Sequence, residues 1–511
     1  MPENEKYIEV GWNEFANYCD SLCKKRNVIL RLMFATDERA IDNWFKVYAV
    51  FSEQGKDIFH IPFFKLRGAN LKYKSITGCI PAAHWYEREI RDMFGLIPEG
   101  HPDPRRLVFH DSFPADSHPL RKDWKISEND LKEWGEGVVK KVPYDFMKVE
   151  GEGVYEIPVG PVHAGIIEPG HFRFSAVGET IYYLESRLFY THKGIEKHFE
   201  SMSFFDGIKL AERVSGTSTF SHSVAYCMAV ERMAGINITE KVKAIRTLLL
   251  ELERIYNHIG DIGNICAGTG LTVGNTMGAV IKERLMQLNE RLTGSRYLRG
   301  VNMIGGVTKD IFLQADDIST TIDAVAKEYK KFMKLLLGTV SHVERLEDTG
   351  KLSKEVAILL GVTGITARAS GINDDIRRAH PHLIYNNVFE FVHYTRQEGD
   401  AFARMMARAE EAKCSMVMIK AIIEGRYTGD LHVEAKEIPP YSHALGYTET
   451  PRGSVFYWVK SDRDGKPLRV KLRSPSYCNW PSVPFAVHGN IVPDFPLCNK
   501  SFNLSYSGCD M

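Results

Sequence analysis

Five clusters of residues in this chain combine side chains at spacings that chemistry can use. The stretch GPVHAGIIEPGHFRF puts His163, Glu168 and His171 within nine residues on a loop expected between strands. Two imidazoles and a carboxylate so close could bind a metal, relay protons or hydrogen-bond a carbonyl substrate, and they could equally serve a solvated structural turn. The stretch LFYTHKGIEKHFE, with His192, Lys193, Glu196 and Lys197, has the spacing of an exposed helix start with i, i+4 charge pairs. ERVSGTSTFSHSVAY holds Arg213, Ser215, Ser218 and His222. RASGINDDIRRAHP carries Arg368 and Asp375, and ETPRGS carries Arg452. Arg beside Asp and Gly suggests fixed ion pairs around a backbone bend. The last cluster runs from Trp85 to Trp124 and contains HWYEREIRDMFG, GHPDPRRL and HPLRKDW. Its mixture of Arg, acids, aromatics and rigid Pro turns suits a surface that docks another protein better than it suits catalysis.

Other chemistries find no support. GTGLTVG, Gly268 to Gly274, lacks the GxGxxG spacing and follows a helical pattern rather than a strand. There is no Walker A sequence, no H-E-x-x-H and no G-x-S-x-G, so nucleotide-dependent dehydrogenases, kinases and common hydrolases are disfavoured. Lys plus Arg (65) equals Asp plus Glu (65), a balance that argues against nucleic-acid binding. No run of about 18 apolar residues marks a membrane span, and MPENEKYIEV lacks the apolar core of a signal peptide. The nine cysteines are scattered with no C-x-x-C, which reads as reduced thiols in a cytoplasmic setting.

The elements that must position these residues fall into two parts joined by a linker. Residues 1–125 read as a small mixed α/β domain: a helix over Trp12 to Lys25, strands at NVILRLMFA, FKVYAVF and DIFHIPFF, and a helix at WYEREIRDMF stopped by Gly95. Residues 126–152 are charged, Gly-containing and weakly periodic, as a linker would be. Residues 153–511 open with a strand pair, YEIPVGPV and HFRFSAVGETIYYLESRLFY, and continue mainly as helix. KVKAIRTLLLELERIYNHIGDI, MGAVIKERLMQLNERL and IDAVAKEYKKFMKLLL carry the 3.6-residue period, and GSVFYWVKSD with LRVKLRSPS reads as a hairpin. The fold class is therefore α+β.

Taken in order, the clusters carry a resemblance. The series ERExxDMFG, GHPDxRR and PLRKD resembles the 30-kDa subunit of respiratory complex I, and the chain from about residue 156 is similar to the complex I 49-kDa subunit and to the large subunits of energy-converting nickel–iron hydrogenases. The fusion of both resembles the large subunit of formate hydrogenlyase and hydrogenase-4 type complexes. In those hydrogenases R-V-C-G-x-C-x-x-x-H and D-P-C-x-x-C supply four thiolates to the metals. Here the matching positions are Ser215, Ser218, Ser505 and Gly508, with Cys509 one place out of register. Neither a serine hydroxyl nor glycine replaces a soft thiolate. The resemblance places the complex I quinone-binding tyrosine at Gly216 and its histidine at His171. It places a proton-carrying glutamate at Glu168 and the arginine that overhangs the metal pocket at Arg452.

The resemblance thus implies an oxidoreductase of the NADH:quinone and hydrogenase-like kind, acting as one subunit of an ion-translocating complex. No nickel–iron centre is expected, and no cofactor bound by this chain; quinone is a possible ligand. An iron–sulfur small subunit of complex I 20-kDa type, carrying a 4Fe-4S cluster, would close an acceptor cavity with this chain, where quinone or a sulfur compound, and not H2, is the expected acceptor. A ferredoxin-like subunit and membrane-arm antiporter-like and anchor subunits complete the expected partners and would hold the chain at the cytoplasmic side of the membrane. His171 and Glu168 are the expected catalytic pair. His163, His192, Arg213, Ser215, Ser218, His222, Arg368, Asp375 and Arg452 are the expected substrate-binding set. The alternatives are a structural coupling subunit with no substrate of its own and, less favoured, an active hydrogenase.

Overall fold

The computed structural model describes residues 2–25, 27–68, 70–110, 113–114, 116–126, 128, 132, 144–164, 167–385, 394–434 and 436–511. Most of the expected linker, residues 127, 129–131 and 133–143, lies outside the described residues.

The first sheet has strands β1 (Glu5–Glu9), β2 (Val28–Glu38), β3 (Trp44–Glu53) and β4 (Ile58–Leu66), in the order β1-β4-β3-β2. β2, β3 and β4 form an antiparallel meander, and β1 adds parallel to β4. Helix α1 (Phe15–Cys23) buries Phe15, Cys19 and Leu22 against it. Helix α2 (His84–Phe94) ends where Gly95 takes a left-handed conformation. β1 escaped the sequence reading because EKYIE is short and three of its five residues are charged.

β2 and β3 are buried on nearly every residue rather than alternately, because the later part of the chain covers their second face. Phe34 packs 4.7 Å from Trp458, whose indole N–H donates to the Tyr7 hydroxyl at 3.0 Å. Arg31 makes a bidentate pair with Asp374, at 2.5 and 2.7 Å.

The expected strand pair after the linker is a three-strand meander of β5 (Val154–Val159), β6 (His171–Val177) and β7 (Thr180–Arg187). The longer apolar run splits because Gly178, with φ +57°, allows the reversal. Five long helices follow: α3 (Thr219–Ala234), α4 (Glu240–Gly268), α5 (Thr272–Thr293), α6 (Ala315–Gly338) and α7 (Ala401–Glu424). α4 starts at Thr239, whose hydroxyl accepts from Val242 N–H, and it buries Leu248, Leu252, Ile255, Ile259 and Ile262. Each such side chain contributes roughly 1.5–3 kcal/mol. α7 had no amphipathic signature because its buried face includes Arg404 and Arg408.

The expected hairpin is present as β9 (Gly453–Ser461) and β10 (Pro467–Arg473), and β8 (His443–Thr450) extends it to three strands. β9 is buried along its whole length, between α3 and the first sheet. The chain then returns through short helices to Tyr506–Asp510, beside the start of α3 and the β5–β6 loop.

Candidate functional site

The serine positions meet where three segments converge. The loop before α3 carries Ser215 and Thr217, the C-terminal turn carries Ser505 and Ser507, and the β5–β6 loop carries Glu168. Ser215 Oγ donates to Ser505 Oγ at 3.0 Å and lies 2.9 Å from Thr217 Oγ1. Ser505 caps the terminal helix by accepting Gly508 N–H at 2.9 Å, and its hydroxyl lies 3.3 Å from that of Ser507. A Cβ on Gly508 would stand 3.2 Å from the Ser215 Cβ, so the turn sits this close because residue 508 has no side chain. Ser218 is buried one turn on, at the N-terminus of α3. The N–H groups of Phe220 and Ser221 are taken by the Glu253 carboxylate at 2.7 and 3.0 Å. Burial, partly offset by these bonds, raises Glu253 to about 7.

Glu168 joins the cluster directly: its Oε2 accepts Ser507 N–H at 3.0 Å. Gly170 follows against the ring of Tyr506, where a Cβ would meet the ring at 2.6 Å. Asp510, not foreseen from the sequence, accepts from Thr191 N–H at 3.0 Å and Thr191 Oγ1 at 2.8 Å. Burial pushes its carboxyl up to about 6. His192 Nδ1 lies 2.6 Å from the Asp510 carbonyl oxygen. A carbonyl only accepts, so Nδ1 carries the proton and Nε2 is left as the acceptor. His192, Lys193 and Gly216 are exposed at the edge of this cluster.

The remaining expected residues lie elsewhere. His171 projects behind its loop, with Nδ1 3.2 Å from Gly160 O and its ring 5.1 Å from Phe146; burial is the main influence lowering its pKa. His163 closes the same loop through Nε2 and Gly170 O at 2.8 Å. Arg213 is exposed and donates to Lys209 O at 2.6 Å. His222 is fully buried beneath the cluster, 2.8 Å from the Tyr457 hydroxyl, and burial pushes it down to about 3. Arg368 and Asp375 belong to a buried ion-pair lattice: Arg368 meets Glu411 at 2.6 Å and Glu449 at 3.1 Å, and Asp375 meets Arg377 at 2.7 Å. Arg452 is spent on Asn503 O at 2.5 Å, Asn257 Oδ1 at 3.1 Å and Asp261 Oδ1 at 3.3 Å, which ties the C-terminal tail to α4. The second cluster is not an exposed helix start: Glu196 is buried between Arg469 at 2.7 Å and Lys471 at 3.0 Å. No spacing rule marks Asp510, because only the return of the tail brings it to Thr191.

The donor set does not fit a nickel–iron centre. Where the resemblance puts four thiolates, the side chains are three hydroxyls and a hydrogen. Cys509 is fully buried in the core, and burial and Asp510 push its thiol far up. Among the described residues, no group of three His, Cys, Asp or Glu side chains could hold a metal ion.

Comparison with known proteins identifies both halves of the chain. The model of the respiratory-chain NADH dehydrogenase 30 Kd subunit matches residues 8–130, and that of the 49 Kd subunit matches residues 269–444 and 432–511. Formate hydrogenlyase subunit 5 of Escherichia coli (strain K12) is 34% identical over 508 residues, 98% of this chain and 88% of the relative. The chain belongs to the family of fused complex I 30-kDa and 49-kDa subunits. Within this fused family, hydrogenase-4 component G of the same organism is 35% identical, covering 94% of this chain and 83% of its own. The fused C/D subunit of the NADH-quinone oxidoreductase of Phocaeicola vulgatus is 33% identical, covering 78% and 79%. A protein in the structure of the membrane-bound sulfane sulfur reductase (MBS), an archaeal respiratory membrane complex, superposes with a TM-score of 0.66 at 27% identity. That match covers 70% of this chain and 99% of the other. The fused family consists of oxidoreductase subunits, and this chain is one.

Proposed function

We propose that this chain is the large subunit of a membrane-bound respiratory oxidoreductase complex and reduces an acceptor other than protons. The acceptor, a quinone or a sulfane sulfur compound, would enter beside Gly216, against an iron–sulfur small subunit whose 4Fe-4S cluster supplies electrons. The observation that carries the reading is the contact between Glu168 and Ser507 N–H in a cluster where hydroxyls stand at the thiolate positions. A carboxylate that could carry protons touches the cluster, while the donor set for a nickel–iron centre is missing.

Two electrons and two protons convert a quinone to a quinol, or cleave one sulfur–sulfur bond to two thiols. Glu168 is the first proton source, and Asp510 is a second whose carboxyl titrates near the working range. His192, with Nδ1 held by the Asp510 carbonyl, would accept at Nε2 a hydrogen bond from the hydroxyl or thiol of the reduced product. Among the described residues no helix is long and apolar enough to cross a membrane, so attachment would run through partner subunits at the cytoplasmic side.

The direct Ser215–Ser505 bond favours a second reading, a coupling subunit whose former pocket is closed by its own side chains. One experiment separates the two. The complex is purified from membranes, nickel and iron are measured, and quinone and polysulfide reduction are assayed with and without Glu168→Gln. Iron without nickel, with reduction lost in the variant, supports the acceptor site. Iron without nickel and no reduction by the parent complex supports the coupling subunit. Stoichiometric nickel overturns both.

A further inference from the structure

Helices α5 and α6 run antiparallel at the edge of the helical half. Two ion pairs tie them, Arg291 with Asp317 and Arg284 with Glu328, each at 2.9 Å. A Cβ on Gly274 would stand 2.9 Å from the Leu336 side chain, so the start of α5 lies against the end of α6. In this register the exposed sides of the two helices form one surface.

On α6 that surface carries Lys327, Lys330, Lys331 and Lys334, all exposed. Their spacing of i, i+3, i+4 and i+7 puts the four ammonium groups on one side of the helix. Among the described residues, no carboxylate pairs with any of them: Glu328 is taken by Arg284, and Asp323 by Lys420. Lys334 is placed to offset the C-terminal end of the helix dipole, but that effect fades within the last turn and does not reach Lys327, Lys330 or Lys331. The chain as a whole has no net charge, so the positive charge is local.

The same surface is apolar where a solvated face would be polar. Residues 272–281 of α5 hold no charged side chain. Val273 and Val280 are 59% and 54% exposed. Leu337 ends α6 at 44% exposure, and Val340 opens the next short helix at 66%. Lysine is depleted at protein–protein interfaces, whereas lysines beside protruding aliphatic side chains suit the boundary of a bilayer with anionic headgroups.

We propose that the α5–α6 face rests on a lipid bilayer with anionic headgroups. The four lysines meet headgroup phosphates, and Val273, Val280, Leu337 and Val340 enter the boundary beneath them. This adds a direct lipid contact to the attachment through partner subunits proposed above, and it shares no residue with the acceptor site.

The test is co-sedimentation of the full chain with vesicles of phosphatidylcholine alone and of phosphatidylcholine mixed equally with phosphatidylglycerol. The chain should bind the anionic vesicles, and binding should be lost between about 0.1 M and about 1 M salt. Lys327→Gln and Lys334→Gln should each weaken it roughly 5-fold, and Val340→Ser roughly 10-fold. Lys24→Gln, at an exposed residue of the first domain, should leave it unchanged. All of these positions are exposed, and a parental melting temperature confirms that each variant is folded. The proposal is overturned if anionic vesicles are not bound, if neutral vesicles bind as tightly, or if the lysine variants bind like the parent. It is also overturned if the variant lacking all four lysines sheds a partner subunit from the purified complex while its vesicle binding holds, because the face is then a protein contact.

Discussion

Ser215 and Ser505 are 290 residues apart in the chain, and their hydroxyl oxygens are 3.0 Å apart in the fold. The bond joins two of the positions at which the resemblance would put thiolates. Ser215→Ala and Ser505→Ala should each lower stability, by about 0.5–1.5 kcal/mol for the shared bond, with Ser505→Ala the costlier because it also uncaps Gly508. The double variant should cost less than the sum, since one bond is lost once. Thermal unfolding of the purified complex reads this.

Glu168→Gln keeps an acceptor for Ser507 N–H and removes the ionisable group. The fold should survive, and acceptor reduction should fall by roughly 10²–10⁴-fold. An unchanged turnover number with quinone and polysulfide would remove Glu168 from the proton path.

Asp510 gives the chain a pH signature. Burial raises its carboxyl to about 6, from the ordinary value of 3.8. The folded state therefore holds its proton more tightly than the unfolded chain. That contribution to stability is complete below about pH 4 and is lost as pH rises through about 6, with a size on the order of 3 kcal/mol. Asp510→Asn should gain on the parent in melting temperature between pH 4 and 7. It should also shift any inflection near pH 6 in the rate of acceptor reduction.

Arg452 anchors the tail through three separate acceptors. Arg452→Ala should cost about 1–3 kcal/mol, because Asn503 O and the buried Asn257 Oδ1 lose their donor while Asp261 keeps Arg408. Arg452→Lys should rescue little, since one ammonium cannot span Asn503, Asn257 and Asp261. Limited proteolysis should then cut near residue 503, where the parent resists.

Much of this was legible in the sequence. The motif series identified both halves, and the missing thiolates followed from Ser215, Ser218, Ser505 and Gly508. Helices with a clear apolar stripe, such as α4 and α6, were readable by period. α3 is buried nearly all round and α7 buries Arg404 and Arg408 on its core face, so neither was; their polar residues are paired only in three dimensions, as Arg404 is with Ser501 at 2.9 Å. β8 was missed because its GYTET stretch becomes apolar in context only when α3 and β9 cover it. The site residues divide the same way. Glu168 is a candidate by its neighbours in sequence. Asp510 depends on a contact across 319 positions, which no local spacing records.

The burial of Trp458 against Phe34 and Tyr48 has a consequence for assembly. The surface that joins the two halves is a core, not a contact patch, and one polypeptide carries both sides of it. Its two sides are always made in equal numbers, and they meet at an effective concentration in the millimolar range or above, whatever the level of expression. Orphaned halves, with exposed aromatic faces that chaperones would have to shelter, never arise.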